Sequence, residues 1–165
     1  MQTEILASRI GELLLARGEW VATAESCSGG LISGALTDVA GSSAWFGFGF
    51  VTYSNDAKQA LLGVSSQTLD TVGAVSERAV REMSEGALAR AHADWAVAVS
   101  GIAGPAGGSA QKPVGTVWFA LAGREVATEA FVRRFEGDRA AVREQTVETA
   151  LRHLLARLEA SPLLV

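Results

Sequence analysis

Hydrophobic positions along the chain switch between two periods, and the switches outline its elements. From Thr3 to Arg17, Ile5, Leu6, Ile10, Leu13 and Leu14 share one helical face, which predicts a helix closed by Gly18. Trp20 to Glu25 predicts a short buried strand. The polar turn Ser26-Cys27-Ser28-Gly29-Gly30 follows, and then a helix over Leu31 to Leu36. A Gly41-Ser42-Ser43 turn precedes a second strand, Trp45 to Tyr53, apolar on both faces. Ser54-Asn55-Asp56 is a helix-start signal for a short helix bearing Lys58, Leu61 and Leu62. Ser76-Glu77 opens a longer helix that reaches Ala91.

The run Ala93 to Ser100 is so apolar that it belongs in the middle of a sheet. A loop rich in Gly and Pro, Gly101 to Pro113, leads to a strand over Val114 to Leu121. Ala122-Gly123-Arg124 reads as a hairpin turn into Glu125 to Phe135. The last helix runs from Asp138 to Glu159, with Val147, Leu151, Leu154, Leu155 and Leu158 on one face. Helices interleaved with strands predict an α/β fold: a mixed, mostly parallel sheet of about five strands, covered on both sides, with one antiparallel pair.

Composition narrows what such a fold can do. The 165 residues suit one domain, spanning 1–165, and 48% hydrophobic against 19% charged residues exclude a disordered chain. Fourteen basic against eighteen acidic residues give a net charge of −4 with no basic block, which argues against a nucleic-acid partner. The lone cysteine, Cys27, excludes an intrachain disulfide and a multi-cysteine metal site. No window approaches the roughly 20 apolar residues of a membrane span, and no basic, then apolar leader opens the chain. The expectation is a cytoplasmic protein with no membrane partner. Of the basic residues only Lys58 and Lys112 are lysine.

Candidate chemistry gathers in two glycine-bearing loops. The cluster Glu25-Ser26-Cys27-Ser28-Gly29-Gly30 stands at the carboxyl end of a strand, where open α/β sheets bind ligands. Gly29 and Gly30 permit a tight turn, and the N–H groups of the next helix are suited to an anion or oxyanion. A hydroxyl there is placed as a nucleophile; the plainer reading is that Ser26 or Ser28 caps the helix. Cys27 is a rival nucleophile, although a buried filler is the commoner role of such a thiol.

A nucleophilic serine needs a base. His92 sits at a helix end and His153 inside the last helix, so a Ser-His-Asp triad is not expected. Lys58 is the better candidate, because its amine can lose a proton, the helix start disfavours its charge and burial lowers its pKa. An exposed lysine on a short helix is the alternative. Beyond Ser100, the backbone amides of the Gly101 to Gly108 loop are suited to cradle a phosphate, unless the loop is only a long connection. Asp138 reads as an N-cap, with Arg139 beside it to reach an anion.

Seven segments occur in one order: Ala24-Glu25-Ser26-Cys27-Ser28-Gly29-Gly30, Gly41-Ser42-Ser43-Ala44-Trp45-Phe46, Val51-Thr52-Tyr53-Ser54-Asn55-Asp56-Ala57-Lys58, Gly73-Ala74-Val75-Ser76-Glu77, Ser100-Gly101-Ile102-Ala103-Gly104-Pro105, Lys112-Pro113-Val114-Gly115-Thr116-Val117 and Phe135-Glu136-Gly137-Asp138-Arg139. Together they closely resemble the CinA C-terminal domain family, whose stand-alone members include bacterial nicotinamide mononucleotide deamidases. The resemblance spans Thr3 to Leu158 and implies a three-layer α/β/α fold with a mixed five-stranded sheet.

It also implies an amidohydrolase that converts nicotinamide mononucleotide to nicotinate mononucleotide and ammonia. The pyridinium charge of such a substrate already makes its carboxamide electrophilic, so no metal or other cofactor is expected, and the expected assembly is a homo-oligomer. The family's catalytic serine and lysine carry over to Ser26 and Lys58. Oxyanion donors are expected around Cys27, Ser28, Gly29 and Gly30, with Tyr53 and Ser54 holding the pair. The substrate's phosphate is expected near Ser100, Gly101 and Gly104, with Lys112 or Arg139 as its cation. One local departure stands out: Gly47-Phe48 occupies a position where a charged pair such as Glu-Arg is expected. The alternative function is a nucleotide-binding module without turnover, in a competence- or damage-associated role.

Overall fold

The computed structural model of the chain describes residues 2–161. Helix α1 (Gln2–Arg17) precedes strand β1 (Val21–Glu25) and helix α2 (Leu31–Thr37). Strand β2 (Phe46–Val51) follows a 3₁₀ turn over Ser42–Ala44. Three helices come next: α3 (Asn55–Leu62), α4 (Ser66–Thr71) and α5 (Glu77–Ala91). Strands β3 (Trp95–Gly101), β4 (Thr116–Gly123) and β5 (Val126–Arg134) lead to the long helix α6 (Arg139–Ala160).

The five strands form one sheet in the order β2-β1-β3-β4-β5, with β3 in the centre as its apolar run demands. The β1–β2 and β1–β3 pairs are parallel, whereas β3–β4 and β4–β5 are antiparallel. The expected single antiparallel pair is therefore corrected to two. The reason lies in the β3–β4 connection: it contains no helix, and a parallel return needs a crossover, usually helical. Four of the five strands still point the same way.

Period-two alternation divides the core into two unlike halves. Val97, Val99, Val117, Phe119 and Leu121 face one side, where they meet Ile10, Leu14, Leu151 and Leu154 of α1 and α6. The opposite side is paved with Ala22, Ala24, Ala96, Ala98 and Ala120, against Val80, Met83 and Ala87 of α5. Small side chains there bring α5 close to the sheet. The same economy appears at Gly86, where a Cβ would stand 1.9 Å from the Leu62 carbonyl oxygen, so α5 and the end of α3 touch through backbone.

Two patterns differ from the sequence reading. Ile5 is exposed, and the inward stripe of α1 is Leu6, Ala7, Ile10, Gly11 and Leu14, because bare Gly11 admits the indole of Trp45. Strand β2, read as apolar on both faces, is an edge strand and mostly exposed.

Candidate active site

The carboxyl ends of β1 and β3 open onto a cavity of about 300 Å³. Ser26, Cys27, Tyr53, Lys58 and the run Ser100 to Gly104 line it. Ala74 and Val75, from the loop after α4, and Arg139, at the start of α6, close it. The site thus draws on three layers of the fold.

Ser26 leaves β1 with its N–H donating to the Val99 carbonyl at 3.1 Å, which extends the β1–β3 ladder one residue and fixes where the hydroxyl emerges. Helix α3 starts at the cap predicted for it: the Ser54 hydroxyl accepts the Ala57 N–H at 3.0 Å. One turn later Lys58, only 1% exposed, runs back towards β1. Its Nζ lies 2.9 Å from Ser26 Oγ and donates to the carbonyls of Thr52 and Tyr53 at 2.8 and 3.1 Å.

Burial pushes the Lys58 amine down from 10.5 to about 8, and among the described residues no carboxylate pairs with it to hold the proton on. A neutral amine fits these three partners well. Its two N–H bonds serve the carbonyls, and its lone pair is left for the Ser26 hydroxyl proton. At pH 7 about a tenth of such amines are neutral. The rival nucleophile fares differently: burial pushes the Cys27 thiol up to about 11, which leaves almost no thiolate.

The turn after Ser26 settles which amides are available. Gly29 and Gly30 adopt the left-handed backbone, with φ of 58° and 101°. The Gly29 N–H returns to the Ser26 carbonyl at 3.0 Å and the Leu31 N–H to that of Ser28 at 3.1 Å. The Ile32 and Ser33 N–H groups donate to the carboxylate of Glu25, at 2.8 and 2.9 Å. The helix N–H groups expected to receive an anion are therefore occupied. Among the described residues, only the Cys27, Ser28 and Gly30 N–H groups of this turn lack an acceptor. Neither Ser26 nor Ser28 caps α2; its N-cap is Gly30, and Glu25 supplies the capping oxygens from the strand.

Of the residues expected here, Ser26, Lys58, Cys27, Tyr53, Ser100, Gly101, Gly104 and Arg139 line the cavity. Ser28, Gly29, Gly30 and Ser54 do not. The Ser28 hydroxyl donates to Glu25 at 2.6 Å, Gly29 faces Arg143, Gly30 begins α2, and Ser54 caps α3. Arg139 spans the mouth, donating to the Gly104 carbonyl at 2.8 Å and to the Tyr53 hydroxyl at 2.9 Å. Lys112 lies outside, its amine donating to the Val72 carbonyl at 2.7 Å.

His92 ends α5 and His153 faces Glu129 at 3.0 Å, so neither reaches the serine. Sequence reasoning overlooked Glu25, Arg143, Asn55, Ala74 and Val75. A charged residue ending an otherwise apolar strand was the available signal for Glu25. For Arg143 it was the four-residue spacing from Arg139 along α6.

A model of the CinA C-terminal domain family matches residues 3–158. The chain is a member of that family. Among the CinA relatives, a protein of Enterobacter agglomerans named nicotinamide-nucleotide amidohydrolase PncC is 58% identical, over 91% of this chain and 94% of its own. The protein of that name from Escherichia coli K12 is 56% identical, over 90% of each chain. A solved structure, the competence/damage inducible protein CihA of Agrobacterium tumefaciens, superposes with a TM-score of 0.93 at 51% identity, over 96% of both chains. Gly47-Phe48, where a charged pair was expected, lies at the other end of the sheet: Phe48 pairs with Ala22, three residues before Glu25, and borders a separate groove with Trp20 and His92.

Proposed function

We propose that the chain hydrolyses the carboxamide of nicotinamide mononucleotide to nicotinate mononucleotide and ammonia, with Ser26 as nucleophile and Lys58 as its base. The observation that carries this reading is the 2.9 Å separation of Lys58 Nζ from Ser26 Oγ in a buried setting that lowers the amine's pKa to about 8. The names of the PncC relatives supply the substrate class.

In the acylation half, the lone pair of Lys58 takes the hydroxyl proton as Ser26 Oγ bonds to the carboxamide carbon. The carbonyl π electrons move onto oxygen, and the N–H group of Cys27, which lines the cavity without an acceptor of its own, receives the oxyanion. As the tetrahedral species collapses, the C–N bond breaks and Lys58 returns its proton to the departing nitrogen, giving ammonia. Water then repeats the sequence on the acyl-enzyme: Lys58 takes its proton, the acid is released and Ser26 is re-protonated. Arg139 has N–H bonds beyond the two already used and is the cation placed to hold the phosphate.

Ammonia release from nicotinamide mononucleotide tests the reading. Ser26→Ala is expected to lower kcat by about 10³-fold or more. Lys58→Arg keeps the charge but is never a base near neutrality, and is expected to be equally inactive. An active Lys58→Arg enzyme would falsify the base assignment.

A further inference from the structure

The substrate proposed above carries a fixed positive charge, because its pyridine nitrogen bears the ribose. The cavity offers no carboxylate to meet it. Among the described residues, no Asp or Glu lines it, and its cationic side chains, Lys58 and Arg139, would repel such a ring. Three carbonyls of the site are already engaged, those of Thr52 and Tyr53 by Lys58 and that of Gly104 by Arg139. One side chain that attracts cations remains. Among the described lining residues Tyr53 is the sole aromatic.

Tyr53 is also strung between the two groups that fix the ends of this substrate. Its carbonyl accepts from Lys58 Nζ at 3.1 Å, and its hydroxyl accepts from Arg139 Nη2 at 2.9 Å. In the proposed reaction the carboxamide lies at Ser26 and Lys58, and the phosphate at Arg139. The pyridinium joins the first to the ribose that carries the second, so it must pass along this tyrosine. The residue is 59% exposed, which leaves its side chain open to a ligand instead of packed in the core. Because Arg139 already holds the hydroxyl, little side-chain freedom is lost when a ligand arrives.

We propose that Tyr53 is the residue that selects for ring charge: its aromatic face receives the substrate's pyridinium and favours the cationic nucleotide over one with a neutral ring. The inference rests on the nucleotide reading above and adds to it what recognises the ring.

Equilibrium binding separates this recognition from the chemistry that follows it. Two ligands are compared on Ser26→Ala protein, which lacks the nucleophile. One is nicotinamide mononucleotide; the other is its 1,4-dihydro form, with the same carboxamide, ribose and phosphate on an uncharged ring. The readout is the ratio of their two Kd values. Adding Tyr53→Leu is expected to lower the preference for the charged ring by about 3- to 30-fold, the span of a cation–π contact. Tyr53→Phe keeps the ring and loses the bond to Arg139, and should preserve the preference.

A merely structural role would weaken both ligands alike. An unchanged ratio in Tyr53→Leu therefore overturns the proposal, as does a Tyr53→Phe protein that loses the preference as fully. Should Tyr53→Leu unfold, Tyr53→Met, also without a ring, carries the same expectation. Ammonia release by wild type is measured alongside. Release with an unchanged ratio defeats the role of Tyr53 and keeps the proposed function. A lowered ratio beside a wild type that releases no ammonia supports ring recognition and defeats the hydrolysis instead. A Ser26→Ala protein that binds neither nucleotide, beside an inactive wild type, overturns both.

Discussion

Lys58 concentrates the chemistry of this chain in one amine. Lysine is the only cationic side chain here whose charge burial can remove near neutral pH, and its three polar neighbours leave it no carboxylate to hold that charge. The sign of the pH effect follows. A base must be unprotonated to act, so kcat/KM should rise with pH, about tenfold per unit well below pH 8, and level off above it. A pH–rate profile that is flat between pH 6 and 9, a range chosen to bracket the value of about 8, would remove Lys58 from the proton transfer. The pairing of Ser26 with Lys58 was legible from residue type, helix-start signals and resemblance. The role of Glu25 was not, because a carboxylate at a strand end looks solvated until the helix that consumes it is in place.

At the level of elements, caps and turns were the most readable features. Ser54, Ser76 and Asp138 each accept the N–H three residues on, as their positions before apolar runs foretold. Helix α4 went unseen because its six residues, Ser66–Thr71, bury only Thr68 and so leave no periodic trace. The exposure of β2 was equally hidden: an apolar strand reads the same at an edge as in the centre, and only the topology separates them. Close approach between elements leaves a subtler mark, a glycine inside a helix. At Gly86 a methyl group would meet the Leu62 carbonyl. Although alanine is the better helix former, Gly86→Ala is expected to destabilise the fold by about 2 kcal/mol or more, read as a lowered denaturant midpoint. A neutral or stabilising result would mean that α3 and α5 separate freely.

Across the whole molecule, the two unlike faces of the sheet divide the labour. Bulky residues on the α1/α6 side make the larger core, whereas the alanine side sets the distance between the sheet and the layer of α3 and α5. Since Lys58 rides on α3 and Ser26 leaves the sheet, that distance is also the span of the proposed dyad. Ala98→Leu, at the centre of this face, is expected to cost about 1–3 kcal/mol by overpacking and to lower activity beyond what lost stability explains. Full activity in a folded Ala98→Leu protein would uncouple the spacing from the site. The layered architecture and the central place of β3 were visible in hydrophobic runs; the second antiparallel pair was not, since the direction of β4 depends on the path of a loop without periodic residues.

Glu25 has one more consequence, for inhibitors. By holding the first amides of α2, the chain supplies its own anion at the terminus of the helix that follows the nucleophile in sequence. Phosphate and sulfate mimics aimed at that terminus would meet a filled position bearing like charge. Electrophiles that add to a hydroxyl and present a single anionic oxygen, such as trifluoromethyl ketones or boronic acids, match the donor that remains at Cys27. Ligands for this fold are better begun from the warhead than from the nucleotide's charge.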